Sequence, residues 1–137
     1  MASSDNLFGT WTQDIQKSLY APGPQAESHI RVYEVAESGF KVSTTETIGG
    51  KTISWNYTAP EYDGKIYPVH GRSDYDGIKS YKLNDSETLG LFTKDGEELA
   101  AYKRTLSKDG KTLTVIESGA DNGKGQPYWN KSVFTKK

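Results

Sequence analysis

Cysteine is absent from the 137-residue chain, which excludes disulfides, thiolate nucleophiles and Cys-ligated metals together. Histidine is scarce. With only His29 and His70, a metal site would have to lean on carboxylates, and a Ser-His-Asp arrangement has little to draw on. No metal and no cofactor is therefore expected. No apolar run approaches the roughly 20 residues that cross a bilayer, so no membrane span is expected either. The formal net charge of −1 lacks the basic excess that neutralises phosphates, which argues against a nucleic-acid partner. No glycine-rich loop precedes a helix, so nucleotide binding has no support. Residues 1–6 lack the basic and apolar segments of a signal peptide. The chain reads as a soluble cytoplasmic protein, or as a secreted or periplasmic one if a leader has been removed.

Aromatic side chains are what the sequence has in excess: nine Tyr, four Phe and three Trp, 12% of the chain. Tyrosine joins an apolar ring to a polar tip and suits a sheet with a wet or ligand-facing side, although β-propensity alone also favours it. At this length one core is the rule, so residues 1–137 read as a single domain.

Turn signals recur from residue 37 onward, among them Gly49-Gly50, Asp63-Gly64, Asp76-Gly77, Asp95-Gly96 and Asp109-Gly110. Such pairs supply the positive φ of tight hairpins. The segments between them read as strands at 9–14, 29–36, 40–48, 52–58, 65–70, 78–83, 88–93, 99–106, 112–118 and 128–135. Short strands in such number would leave long exposed edges unless the sheet closes on itself. The expected architecture is all-β, an antiparallel up-and-down barrel of about eight to ten strands, with little helix beyond one turn within 13–19. The segment 17–28, with Tyr20, Pro22 and Pro24, reads as an ordered loop over the barrel end that brings Tyr20 to a cavity entrance.

The run Phe8-Gly9-Thr10-Trp11 resembles the Gly-X-Trp signature of the lipocalin and fatty-acid-binding (calycin) families. The whole pattern is similar to small bacterial lipocalin-like domains of unassigned role. The resemblance implies that Trp11 opens the first strand and plugs the closed end of the barrel, with a cation from the last strand packed on its ring. Lys131 and Lys136 are the candidates, where those families more often use Arg. The helix–turn–helix portal of the fatty-acid-binding group has no counterpart here, so the resemblance does not extend to a lipid-specific ligand.

Strand alternation assigns an inward face. Ile53, Trp55 and Tyr57 share one; Phe40, Val42, Thr44, Glu46 and Ile48 another; Leu113, Val115 and Glu117 a third. His29 and Arg31 precede Tyr33 on one face, and Arg104 follows Tyr102. A carboxylate buried without a partner costs several kcal/mol, so Glu46 and Glu117 must be paired, neutralised or near water. One reading is a polar cluster of Glu46, Glu117 and Arg104 that orients a ligand or moves a proton. The plainer reading places each at the wet rim. His70 is a further candidate acid–base group, as the side chain that titrates nearest neutrality. Trp55, Tyr57, Phe92, Tyr102, Tyr128 and Tyr20 are the expected ligand-lining residues.

Three functions follow. The first is a binding protein for a small, largely apolar organic molecule held in an aromatic-lined calyx. The second is a cofactor-independent isomerase, cyclase or lyase using the same cavity with one acid and one base. The third is a rigid interaction module with a filled interior, against which Ser80, Gly90, Ala100 and Ala101 suggest cavity-sized gaps. The chain is expected to be a monomer or a weak homodimer.

Overall fold

Eleven strands follow one another along residues 4–137, the part of the chain that the computed structural model describes. Residues 1–3, part of the start read above for a signal peptide, lie outside the described residues. The strands are β1 (Gly9–Gln13), β2 (Leu19–Ala21), β3 (Ser28–Ala36), β4 (Gly39–Ile48), β5 (Lys51–Ala59), β6 (Tyr67–His70), β7 (Gly77–Lys82), β8 (Glu87–Lys94), β9 (Glu97–Leu106), β10 (Thr112–Gly119) and β11 (Tyr128–Lys136). All pairings are antiparallel, and consecutive strands from β3 to β11 are neighbours. β1 pairs with both β3 and β11, which closes a ten-stranded barrel, and β2 is one strand more. The only helical segments described are two 3₁₀ turns, Ser4–Leu7 and Ile15–Lys17.

Turn chemistry dictates this winding. At Gly49 and Gly50, φ is 59° and 77°, the two positive values of the hairpin turn whose twist matches the strands it joins. Only β2 departs from the expected strand positions, because segment 17–28 is not a loop across the mouth. β1 pairs with residues 134–136 of β11 and β2 with residues 129–131, so the two are one wall strand interrupted by the 3₁₀ turn. The interruption is bridged: the Asp14 N–H donates to the Val133 carbonyl (2.7 Å) and the Val133 N–H to Ser18 Oγ (2.9 Å). On the other edge of β2, the Gln25 side chain takes the place of a strand. It accepts from the Tyr20 N–H and donates to the Tyr20 carbonyl, each at 2.6 Å. Tyr20 therefore reaches inward from the wall rather than from a lid.

One end of the barrel is sealed. Trp11 is fully buried there, its Nε1 donating to the Leu7 carbonyl at 2.8 Å. Lys136, not Lys131, stands over its ring with Nζ 5.5 Å from the centroid. Above Trp11 the interior is filled by Tyr33, Phe40, Val42, Tyr57, Ile78, Phe92 and Tyr102. The small residue Gly90 does not open a gap as expected. A Cβ built there would lie 1.9 Å from Cε2 of Tyr102, so the missing side chain makes room for a ring.

Candidate functional site

The open end holds a cavity of about 310 Å³. Its walls come from the first residues of β3, β5 and β11, the last residues of β4 and β10, β2, and the turn between β6 and β7. Alternation points His29 and Arg31 of β3, Glu46 of β4, Trp55 of β5, Glu117 of β10 and Tyr128 of β11 into it.

Arg72 forms the floor. It leaves the β6–β7 turn and folds inward until its guanidinium lies 4.8 Å from each of the ring centroids of Trp55, Tyr75 and Phe92. Nη1 and Nη2 donate to the two Glu117 oxygens at 3.1 Å. Nε and Nη2 donate to Asp74 at 2.8 and 2.7 Å. A planar five-donor cation is suited to two such forks and to stacking on rings. Glu117 also accepts from the Tyr128 hydroxyl at 2.7 Å, and that hydroxyl is 2.7 Å from the Tyr75 hydroxyl.

The opposite wall is a chain of polar groups. The Tyr20 hydroxyl donates to Glu46 Oε2 at 2.5 Å and lies 3.1 Å from Ser132 Oγ. Glu46 Oε2 is 3.3 Å from His29 Nδ1. Arg31 Nε can only donate, and its partner at 3.2 Å is His29 Nε2. The His29 proton therefore sits on Nδ1, directed at Gln13 Oε1 at 2.9 Å. Burial, with the Arg31 charge beside it, pushes the His29 pKa down to about 2, so the ring is neutral. Burial raises the Glu46 carboxyl above the ordinary range, opposed by the Tyr20 hydrogen bond and by Arg31. Arg31 itself lies over Trp55 and Phe134, 5.5 and 5.4 Å from their centroids, and Nη1 donates to the Tyr33 hydroxyl at 3.3 Å.

The structure sorts the expected site residues into three places. Glu46, Glu117, Trp55, Tyr128 and Tyr20 line the one cavity. Tyr57, Phe92 and Tyr102 face inward but are packed core beneath it, with the Tyr57 hydroxyl donating to that of Tyr102 at 3.1 Å. Arg104 does not join the two glutamates. It lies deeper, over Tyr33 and Phe40, with Nη2 donating to Thr88 Oγ1 at 2.9 Å and to Tyr62. Alternation names a face and not a height along the barrel, and Arg104 has the right face at the wrong level. His70 is exposed on the outer side of β6, because Val69 takes the inward position.

The cation that does meet a glutamate is Arg72, paired with Glu117, while Arg31 lines the same cavity as Glu46 without an ion pair to it. Arg72 and Asp74 sit in a turn, where no periodicity assigns a direction, and only the close spacing of Arg72 and Asp74 hints at a fork. The cavity is thus more charged than an aromatic calyx. No group of three or more metal-ligating side chains occurs among the described residues, and no helix of theirs is long and apolar enough to cross a membrane. No protein-family model matches the chain, and no curated protein matches it.

Proposed function

We propose that the chain is a lipocalin-like binding protein whose open-end cavity takes a small organic molecule. The carrying observation is the cavity itself. About 310 Å³ remains between a filled core and the mouth, beside the apolar side chains of Ile48, Ile53 and Val115 and beside charged groups on two walls. That combination of apolar body contacts and few convergent polar groups is what ligand pockets share. Membership of the calycin superfamily is supported by the Gly9-Thr10-Trp11 start and by the buried Trp11 beneath Lys136. The charged walls favour a ligand with an apolar body and a polar end over one apolar throughout.

A second reading is catalysis, favoured by Glu46. A half-buried carboxyl held by a tyrosine hydroxyl, on the same cavity as a desolvated guanidinium, supplies a proton-transfer group and a stabiliser of developing negative charge. Isomerisation, cyclisation and elimination need little more.

Both readings are tested by the tryptophan indole N–H signals in NMR titrations with a panel of small organic compounds that includes cyclic carbonyl compounds. Binding in the cavity moves Trp55 and leaves Trp11 and Trp129 in place. A panel that never moves Trp55 refutes the site. Glu46→Gln is expected to keep the Trp55 shift. Under the catalytic reading it also lowers turnover by about 10²–10⁴-fold, and a parent protein that turns over no compound it binds excludes that reading.

A further inference from the structure

Resting on the reading of this cavity as a binding site, we infer that its ligand is a compact organic monocarboxylate, paired through its acid group with Arg31. The comparison that carries this is internal. Two guanidiniums face the same cavity. Arg72 is matched on both edges by carboxylates, Glu117 and Asp74. Arg31 is 7% exposed and forms no ion pair among the described residues. Its hydrogen bonds go to the His29 ring and the Tyr33 hydroxyl oxygen, neither of them a carboxylate. Of its five N–H groups these use two, which leaves three without a partner among the described residues. None of its nitrogens is among the polar atoms sealed off without a partner, and the residue lines the cavity. The free edge therefore opens onto the space where a ligand would lie.

Taking a cation out of water is costly, and an anion set against it offsets that cost most directly. Glu46 acts on Arg31 only from beyond ion-pair distance, and no carboxylate of the described residues meets its open edge. His29, itself fixed by Gln13, orients the guanidinium from one side and Tyr33 from the other. The open fork matches the two oxygens of a carboxylate. A dianion such as a phosphate ester suits the site less well, because Glu46, Glu117 and Asp74 line the same cavity and repel further charge. The volume limits the body to a compact one, and Ile48, Val115 and the Tyr20 and Tyr128 rings give it apolar contact.

The test compares benzoate with benzamide, which share shape and differ in charge, using the Trp55 indole shift of the intact protein. Benzoate is expected to bind about tenfold or more tightly than benzamide, with the preference shrinking as sodium chloride is raised. In Arg31→Met, benzoate affinity should fall by more than that of benzamide, until the preference between the two is lost. Equal affinities in the parent protein overturn the carboxylate inference and leave the cavity reading standing. A preference that survives Arg31→Met overturns the role of Arg31. If neither compound moves Trp55, the inference and the cavity reading fall together. The parent comparison needs no variant, so the inference stays falsifiable if Arg31→Met does not fold.

Discussion

All three arginines of the chain turn into the barrel and lie over aromatic rings, and each settles its charge differently. Arg72 uses two carboxylates, Arg104 uses hydroxyls and ring faces, and Arg31 uses a neutral imidazole. The last choice has a consequence for His29, which is 3% exposed and cannot be charged beside Arg31. Its pKa falls from 6.5 unfolded to about 2 folded. Below pH 6.5 the unfolded chain therefore binds a proton that the native state refuses. The stability that neutral His29 confers is present above 6.5 and is lost progressively as pH falls toward 2. The loss approaches about 1.4 kcal/mol per pH unit well below 6.5. Urea unfolding of the parent and of His29→Gln at pH 7.5 and pH 5 should show the parent losing more stability on acidification. The difference between the two proteins isolates His29 from the carboxyl groups, whose own titrations are common to both. Equal losses would mean that His29 is accessible and protonated in the native state.

Between strands, β8 and β9 fit ring into gap at one cross-strand pair. Gly90 faces Tyr102 across the ladder, and the tyrosine ring occupies the space a side chain at 90 would need. Gly90→Ala should cost about 1–3 kcal/mol through overpacking, read as a lower urea midpoint at unchanged slope. A neutral substitution would mean that the ring moves freely. The same pair marks the limit of what is legible in the sequence. Alternation correctly placed Phe40, Val42, Trp55, Tyr57 and Leu113 inward, because a two-residue period survives errors in strand ends. It could not say that a glycine is filled by a neighbour's ring, since that depends on cross-strand register. β2 is not legible in the sequence because three residues before a proline carry too little pattern, and its free edge is completed by a side chain, Gln25. Glu46 and Glu117 stood out as polar residues on apolar faces. Arg72, the partner of Glu117, did not, because it reaches the cavity from a turn.

At the scale of the whole molecule, the barrel is two compartments in series, a filled aromatic half closed by Trp11 and a charged cup open to solvent. The division is the layer of Arg72, Glu117 and Asp74, with the Arg72 and Glu117 side chains 12% and 14% exposed. Arg72→Met removes the cation and leaves the Glu117 carboxylate without its partner, a change expected to cost about 3–5 kcal/mol. Adding Glu117→Gln should recover part of that loss, since the two residues are coupled. The same substitution uncovers the Trp55, Tyr75 and Phe92 rings on which Arg72 lies. Anilinonaphthalene sulfonate should therefore fluoresce more strongly with the double variant than with the parent. Unchanged dye fluorescence would show that the rings close over the gap. The layer also bears on how such a barrel diversifies. A cup whose floor is one matched pair of side chains can exchange a shallow, salt-responsive receptor for a deep, oil-like one through two codons, those of residues 72 and 117. The wall, the sealed end and the hydrogen-bonded ladder have no need to change with it.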